Sequence, residues 1–413
     1  MAGSEYITGL DIGTTKIGVI IAEVSEDNLP KIIGVGMAPS DGLRKGVVVN
    51  IEKTVRSIEM ALEKAEQMAG IEVDEVYVGI AGDHIRSYNG RAVVAVAGQN
   101  NEINEDDIRR AIDAAKAIVM PMDREVLHII PQEYIVDDQR GIKDPLGMTG
   151  VRLETEVHIV TGAITSAQNI VRSVEKAGIY VKDLVLEPLA SSYSVLDDDE
   201  KKLGVVVMDM GGGTIDIALF YEECIRHTAV VALGGDHVTN DIAHILRTPV
   251  EQAEIIKHRF GCCLQHLIEK PDEPIEIPGI GGRIPRKVSK ELLEEIIHPR
   301  MVEIFRLAAS EIKKSDFGSM MTAGVVLTGG GALIKGATEL AEEVFDMPVK
   351  LGIPKGFSGL IDLAKSPIHA TGVGLVLYAL SREYELEGML IDDETTGFES
   401  IWERMKSWFR FNK

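Results

Sequence analysis

Cysteine, tryptophan and long apolar runs are scarce in this chain of 413 residues. The three cysteines, Cys224, Cys262 and Cys263, are too few for a disulfide framework, and neither a C-x-x-C nor an H-E-x-x-H metal spacing occurs. No stretch of about 18 apolar residues is present, which argues against a transmembrane helix. The first residues lack the basic flank and apolar core of a signal peptide. These absences predict a protein with reduced thiols that is made and kept in the cytoplasm.

Positive charge is also in short supply. The chain has 43 Lys and Arg against 65 Asp and Glu, a formal net charge of -22 at pH 7. Such a surface repels phosphate backbones, so the composition argues against a nucleic-acid partner. With 45% hydrophobic and 26% charged residues, the chain has the composition of a globular protein, and it is long enough for at least two domains.

What the sequence does contain is one short pattern that occurs twice. "YITGLDIGTTKIGVIIAEV" predicts a strand, a tight turn and a second strand, with Asp11 at the end of the first strand. "GVVVMDMGGGTIDIALF" repeats this design, with Asp209 in the matching place and a second strand from Ile215. The turn residues are Gly13, Thr14, Thr15 and Lys16 in the first copy and Gly211, Gly212, Gly213 and Thr214 in the second.

Turns of Gly and Thr suit phosphate binding, because their backbone N–H groups converge without obstruction from a Cβ atom. An Asp just before such a turn is placed to hold the waters of a Mg²⁺ ion that neutralises the phosphates. A single turn of this kind is ordinary hairpin chemistry. Two copies on well-separated hairpins are a much stronger indication of a binding site.

A third glycine cluster follows a strand later in the chain. "AGVVLTGGGALIKGATELAEEVF" predicts a strand, then Gly329, Gly330 and Gly331, then a helix from about Leu333. A dinucleotide-binding turn fits poorly, because Ile334 occupies the position of its last glycine, and no P-loop motif occurs. Bare backbone at such a break can lie against a flat base or a ribose.

The three stretches, in this order, resemble the phosphate 1, phosphate 2 and adenosine motifs of the actin, Hsp70 and sugar-kinase superfamily. The resemblance implies an α/β fold of two duplicated lobes, each around a five-stranded mixed sheet, with Mg-ATP in the cleft between them. It implies that Asp11 and Asp209 hold Mg²⁺ through water and that Glu187 orients the attacking water. The implied ATP-binding residues are Gly13, Thr14, Thr15, Lys16, Gly212, Gly213, Thr214, Gly235, Glu251, Glu254, Lys257, Gly329, Gly330 and Gly331.

One set of these residues, and two further segments of the chain, can also be interpreted in purely structural terms. Glu251, Glu254 and Lys257 follow one another at three-residue spacing on a predicted helix, which is also the pattern of a solvated face with a local ion pair. The segments "EPLASSYSVL" and "SPIHATGVGLVLYAL" are rich in small residues. That composition favours two closely crossing helices at a hinge between the lobes, although rigid cores contain such helices too.

A module inserted before the second turn narrows the family. Residues 84–160 predict a β-α-β-β unit, with the helix "NEDDIRRAIDAAKAI" capped by Asn104. "LHIIPQEYIVDD", together with the opening "ITGLDIGTTKIG", resembles the bacterial cell-division family FtsA, and the resemblance extends over essentially the whole chain. It implies that the module contacts neighbouring subunits and other division proteins and that the protein forms homopolymers. It also implies that the tail peptide of FtsZ binds near Lys290 and Arg300, and that any ATPase activity is weak.

The chain ends in an aromatic segment that follows an acidic one. Residues 383–394 hold six acids and no base, a composition that favours an extended linker. On a helix, Phe398, Ile401, Trp402, Met405, Trp408 and Phe409 would share one face, flanked by Arg404 and Lys406. This pattern is typical of a helix lying in a membrane interface, although a terminal helix docked on the protein's own core would share it. The protein would then be peripheral, on the cytoplasmic face of the membrane at the division site.

These features predict six segments. The first lobe comprises residues 1–83, 161–195 and 350–382, with the inserted module at 84–160. The second lobe comprises residues 196–235 and 305–349, with a small subdomain at 236–304. A linker at 383–397 and a membrane helix at 398–413 complete the chain. Two alternatives stay open at this point: an actin-like protein of type IV pilus assembly, and a small-molecule kinase of the same superfamily.

Overall fold

The computed structural model describes residues 5–24, 29–117, 121–282 and 284–390. Two α/β lobes are built from these residues, and a smaller α/β module projects from the first lobe. The strands, in chain order, are β1 (Glu5–Ile12), β2 (Lys16–Val24), β3 (Lys31–Pro39), β4 (Leu43–Arg44), β5 (Val47–Val48), β6 (Glu75–Ile80), β7 (Arg86–Ala95), β8 (Arg124–Val136), β9 (Gln139–Ile142), β10 (Arg152–Ala163), β11 (Tyr180–Leu186), β12 (Val205–Met210), β13 (Ile215–Tyr221), β14 (Cys224–Val231), β15 (Ile275–Ile277), β16 (Arg286–Val288), β17 (Gly324–Thr328), β18 (Val349–Leu351) and β19 (Ser358–Gly359).

The helices cover the sheets and connect the lobes. In chain order they are α1 (Ile51–Ala69), α2 (Glu105–Ala115), α3 (Ile164–Lys176), α4 (Glu187–Val195), α5 (Asp198–Leu203), α6 (Gly235–Leu246), α7 (Val250–Phe260), α8 (Lys290–Lys314), α9 (Ala337–Phe345), α10 (Ile361–Ala364) and α11 (Ala370–Leu390). Within the described residues, no helix is both long enough and apolar enough to cross a lipid bilayer.

The two lobes have sheets of the same topology. The first sheet has the order β11-β6-β1-β2-β3-β19 and the second has the order β18-β17-β12-β13-β14. In both, an antiparallel hairpin and its antiparallel neighbour are joined to two parallel strands. The expected duplication is therefore confirmed. The first sheet has one strand more than expected, because the two-residue β19 adds to β3.

The two central hairpins also share their register. Asp11 in β1 lies opposite Gly18 in β2. In the second lobe Asp209 in β12 lies opposite Asp216 in β13. All six residues of β12 are buried, which is expected of a central strand with both faces covered by helices. The repeated sequence pattern thus gives one hairpin geometry in both lobes.

The inserted module has a sheet of its own. Its strand order is β7-β10-β8-β9, and α2 packs against β7 and β10. Asn104 caps α2 as predicted, since its side chain accepts a hydrogen bond from the N–H of Asp107 and the Asp107 carboxylate accepts one from Asn104. The base of the module is continuous with the core of the first lobe through Ile85, Leu127 and Val160.

Two element boundaries differ from the sequence predictions. The segment from Gly330 to Leu333 is a short 3-10 turn, and α9 begins at Ala337 instead of Leu333. Helix α11 continues to Leu390, so residues 383–390 are helical where an extended linker was predicted. Glu, Leu and Met are strong helix formers, and their propensity prevails over the repulsion between the acids. Residues 391–397 of the predicted linker and the predicted membrane helix at 398–413 lie outside the described residues.

Helices α4 and α11 cross closely beneath the first hairpin. A Cβ atom on Gly374 would run into the carbonyl oxygen of Ala190. On the other side of α11, a Cβ atom on Gly9 of β1 would lie 2.6 Å from the carbonyl oxygen of Gly372. The small residues of the two helices therefore allow backbone to lie on backbone at this crossing.

Replacing Gly374 with Ala is expected to lower the free energy of unfolding by about 2 kcal/mol, as overpacking in a close-packed core does. The obstacle is a backbone carbonyl, which cannot turn aside. Gly372→Ala is the matched comparison, because its Cβ atom would meet Cγ1 of the buried Ile20 side chain at 2.9 Å, and a side chain yields at a lower cost than a backbone carbonyl, so a smaller loss is expected. Urea unfolding of both variants tests this crossing; equal stability of the two variants would contradict it.

Candidate functional site

The turns of the two repeated hairpins face each other across the boundary between the lobes. A Cβ atom on Gly212 would run into the side chain of Thr15, and one on Gly213 would lie 2.7 Å from Oγ1 of Thr14. Each turn is closed by a backbone hydrogen bond of 3.0 Å between equivalent positions, from Gly13 to Lys16 and from Gly211 to Thr214. The structure thus brings together the two turns that the sequence singled out.

The first hairpin contributes an ion pair to this site. Nζ of Lys16 lies 2.6 Å from Oδ2 of Asp11, and the Asp11 carboxylate is buried. Burial alone would lower the pKa of Lys16, but Asp11 outweighs it, with Asp209 and Glu187 adding to the effect, and the pKa is raised. Lys16 is therefore a positive charge held among carboxylates.

The second hairpin contributes a carboxylate fixed by two hydroxyl groups. Ser191 in α4 donates a hydrogen bond of 2.7 Å to Oδ2 of Asp209, and Thr371 in α11 donates one of 2.8 Å to the same oxygen. Burial raises the pKa of Asp209, and these two hydrogen bonds offset part of the rise. Asp209 thus lies where the crossing helices meet the hairpin.

Two further carboxyl groups complete the cluster. Asp216 lies opposite Asp209 in the hairpin, and its Oδ2 accepts a hydrogen bond of 3.0 Å from Thr214. Its Oδ1 is buried and has no hydrogen-bond partner among the residues that the structure describes. Burial, with Asp209 adding to it, raises the pKa of Asp216 to about 7. At the first residue of α4, burial and the nearby Asp11, Asp216 and Asp209 carboxylates raise the pKa of Glu187 well above its ordinary value.

The third glycine cluster borders the same site. Gly329 has a φ of 84°, and a Cβ atom there would collide with the carboxylate of Asp209. A Cβ atom on Gly331 would collide with the side chain of Met210. Gly330 has more space, because the nearest atom to its Cβ position is Cγ1 of Ile368 at 3.9 Å. This segment therefore contacts the second hairpin.

Helices α6 and α7 form the adjoining wall of the second lobe. The N–H of Gly235, at the start of α6, donates a hydrogen bond of 3.0 Å to the carbonyl of Gly211. The buried Lys257 donates to the carbonyl of Gly235 at 3.2 Å and pairs with Glu254 at 2.8 Å. These contacts therefore connect Gly235, Lys257 and Glu254, which are three of the four residues of these helices that were predicted to bind ATP. The fourth, Glu251, is exposed in the first turn of α7.

The two cations expected to contact a partner peptide are both paired within the chain. Lys290, at the start of α8, lies 3.3 Å from Oε2 of Glu273 and donates to the carbonyl of Glu269 at 2.9 Å. Arg300, in the middle of α8, donates to both carboxylate oxygens of Asp241, at 2.6 and 3.1 Å.

Sequence reasoning missed three residues of the cluster. Ser191 and Thr371 lie in the two stretches that were singled out only for their small side chains. Asp216 follows the second turn in "GGGTID", and the equivalent position in the first copy is Gly18. A comparison of the two copies position by position would have drawn attention to it. The described residues contain no group of three or more His, Cys, Asp or Glu side chains arranged to hold a metal ion directly.

Solved structures with this fold are numerous. One titled "PilM-PilN type IV pilus biogenesis complex" matches with a TM-score of 0.67 and 16% identity, over 91% of this chain and 98% of that chain. MreB5 of Spiroplasma citri bound to ADP matches with a TM-score of 0.57 and 13% identity, over 93% of this chain and 98% of that one. These similarities show that the chain has an actin-like fold.

Curated relatives and family models identify the family. The model for cell division protein FtsA matches residues 206–374, and the model for the SHS2 domain inserted in FtsA matches residues 82–161. FtsA of Pseudomonas aeruginosa is 47% identical over 412 residues, which cover 99% of this chain and 98% of that protein. FtsA of Escherichia coli (strain K12) is 40% identical over 415 residues, which cover 98% of each. The chain therefore belongs to the FtsA family of cell division proteins.

Proposed function

We propose that this cell division protein binds Mg-ATP between its lobes, polymerises, and ties the FtsZ ring to the inner face of the cytoplasmic membrane. The proposal of a nucleotide site rests on the two glycine turns, which face each other and are closed by equivalent hydrogen bonds. Turns of this kind offer backbone N–H groups to phosphate oxygens. MreB5 of Spiroplasma citri, which shares the fold, has solved structures bound to ADP and to AMPPNP.

The carboxyl groups of this cluster suit the binding of a divalent cation. Besides burial, the Asp11 and Asp209 carboxylates raise the pKa of Glu187 and of Asp216, and Lys16 is the cation that acts on Glu187 and Asp209. One oxygen of Asp216 is buried without a partner, and such an atom costs free energy unless water or an ion satisfies it. Asp11 and Asp209 would hold Mg²⁺ through water. The ion would supply positive charge that shields the phosphates.

The surrounding residues have separate tasks in this proposal. Gly13 to Lys16 and Gly212 to Thr214 would surround the phosphates. In the first turn, the Thr14 hydroxyl accepts a hydrogen bond of 3.1 Å from the N–H of Gly46, which fixes its orientation. Gly329 to Gly331 would border the adenosine. Glu254, Lys257 and Gly235 would lie toward the ribose and base, with Glu251 at the outer edge.

Hydrolysis would be slow in this site. Glu187 would be the residue that orients water, but its raised pKa favours the neutral acid. A neutral carboxyl group is a poor proton acceptor. The nucleotide would then act mainly as a clamp that sets the angle between the lobes, and a weak ATPase activity is the most that we propose.

Anchoring to the membrane is proposed for the last residues of the chain. Trp402, Trp408 and Phe409 belong to one face of the potential helix at 398–413, and aromatic side chains favour the membrane interface. A single helix of this size would bind reversibly. Polymerisation would link many such helices, and the combined attachment would be much stronger than one.

Partner binding is proposed for the two smaller parts. The small subdomain at 236–304 would take the acidic tail peptide of FtsZ, and the inserted module would contact neighbouring subunits and other division proteins. Lys290 and Arg300 would contact the peptide. Since Arg300 is paired with Asp241, an acidic peptide would compete with Asp241 for the guanidinium group. Full-length relatives named FtsA favour this function over the pilus and kinase alternatives.

Removing the charge of Asp209 is expected to weaken Mg-ATP binding about tenfold, which corresponds to about 1.4 kcal/mol. Asp209→Asn keeps an acceptor for Ser191 and Thr371 but loses the charge that attracts the cation. Calorimetric titration of ligand-free protein with ATP, with and without Mg²⁺, measures the change. Asp362→Asn, an exposed carboxylate in α10, is the control. An absence of magnesium-dependent binding in the unaltered protein would refute the proposed site.

The contribution of Asp216 to the stability of the ligand-free protein is expected to fall as the pH rises from about 4 to about 7. Asp216 ordinarily titrates at 3.8 and in the folded protein at about 7. The folded state therefore binds the extra proton within this window, and its ionised form is disfavoured above it. Asp216→Asn should reduce this fall by at most about 1.4 kcal/mol per pH unit. Urea unfolding at pH 5, 6 and 7.5 measures the slope, and parallel curves for both proteins would contradict the expectation.

Truncation after Thr396 is expected to abolish sedimentation with liposomes that contain anionic lipid. Trp402→Glu should reduce it strongly, because it places a charge among the aromatic side chains. Ser407→Glu, on the opposite side of the potential helix, is the matched control and should cosediment nearly as well as the unaltered chain. Equal pelleting of the full and truncated proteins would show that this segment does not anchor the protein.

A further inference from the structure

Two edge strands, one in the inserted module and one in the second lobe, face each other. β7 is at the edge of the inserted module's sheet, and β14 is at the edge of the second lobe's sheet. Ser87 Oγ donates a hydrogen bond of 3.0 Å to the carbonyl of Thr228, and Asn89 Nδ2 donates one of 3.4 Å to the carbonyl of Arg226. The donors advance from residue 87 to 89 while the acceptors go back from residue 228 to 226, so β7 and β14 run antiparallel. Side chains of β7, instead of its backbone, cover the edge of β14.

A buried histidine links these contacts into a closed set of hydrogen bonds, which is called the circuit below. Nδ1 of His158 in β10 lies 2.7 Å from Oδ1 of Asn89, and its Nε2 lies 3.1 Å from Oγ1 of Thr228. Because Oδ1 of Asn89 can only accept, the network assigns the ring proton to Nδ1, and Nε2 accepts from the Thr228 hydroxyl. The hydrogen bonds thus run from Thr228 in β14 to His158, then to Asn89, and from Asn89 to the carbonyl of Arg226 in β14.

Further hydrogen bonds extend this contact along β14. Gln132 in β8 donates to the carbonyl of Ile225 at 2.7 Å, and the Cys224 thiol donates to the carbonyl of Gln132 at 3.1 Å. Lys143 forms an ion pair with Glu223, in the turn before β14. Cavities of about 180 and 330 Å³ lie between this turn and the module. Hydrogen bonds, an ion pair and the packing of Ile130 in β8 against the apolar cluster around Ile225 therefore join the module to the second lobe here.

The attachment of the module to the first lobe is of a different kind. Its base is part of the apolar core of that lobe through Ile85, Leu127 and Val160, and both chain connections run into the same lobe. Apolar packing of this type is lost only at a large cost in free energy. A single hydrogen bond contributes much less, because breaking it lets both groups bond to water instead. When the lobes rotate, the contact between β7 and β14 is the one that can open.

We propose that the circuit through Asn89, His158 and Thr228 is a latch between the inserted module and the second lobe. While the latch is closed, it holds the two lobes in the arrangement in which their glycine turns touch. A phosphate chain that enters between the turns must separate them, and the latch must then yield. This last step rests on the proposed nucleotide site, whereas the latch itself does not.

Spin-label distances in the full chain test the latch. One label pair joins the module to the second lobe through Val93→Cys and Ile245→Cys, both exposed positions. Cys224→Ser, in all samples, removes the half-buried native thiol and keeps a donor at that position. Two variants break the circuit at different points, Asn89→Ala and Thr228→Val. Asn89 is exposed and Val has nearly the shape of Thr, so both variants are expected to fold. Tyr88→Ala, on the opposite face of β7, is the control.

Without nucleotide, the unaltered protein and Tyr88→Ala should each give one narrow distance distribution. Both circuit variants should at least double its width or add a longer distance. Unchanged distributions in both variants would overturn the latch. Calorimetry with Mg-ATP on the same proteins separates the two proposals. If none of these proteins binds Mg-ATP, the proposed nucleotide site is refuted. The widths of the distance distributions still test the latch in that case. If the unaltered protein binds Mg-ATP and its module-to-lobe distance stays the same, the release step is wrong.

Discussion

The buried carboxylate of Asp209 connects the parts of this molecule that have to act together. It lies on the second hairpin, accepts hydrogen bonds from Ser191 and Thr371 on the two crossing helices, and borders the glycine cluster at Gly329. A charge of this kind is stable in a protein interior only where donors and counter-charges surround it. The position of the hairpin, the angle of the helices and the charge of the cleft therefore depend on one another.

Much of this arrangement was predictable from local sequence. Glycine turns between alternating strands specify hairpins, and Asn104 followed by Asp107 specifies a helix start. The start of α9 was missed because a 3-10 turn and Gly336 intervene between the glycine cluster and the helix. The helical state of residues 383–390 was missed because the run of acids was given more weight than the intrinsic helix propensity of Glu, Leu and Met.

Contacts between distant segments were not predictable in the same way. Thr371 and Asp209 are far apart in the sequence, and their hydrogen bond exists only because α11 returns to the second hairpin. The contact of β7 with β14 is a similar case. Alternation within β7 predicts a strand, but it does not reveal that Ser87 and Asn89 cover the edge of a sheet in the other lobe. Information of this kind lies in the topology and not in any single stretch.

The two hairpins are equivalent in register but differ at several positions, and at one of these Gly18 in the first lobe corresponds to Asp216 in the second. A carboxyl group on one side, with only a hydrogen atom on the other, makes the inside of the cleft unsymmetrical even though the folds around it are duplicates. Any bound molecule with unlike ends therefore meets two different surfaces and has one preferred direction. Amino-acid differences of this kind between the copies are enough to give an almost twofold body a distinct head and tail.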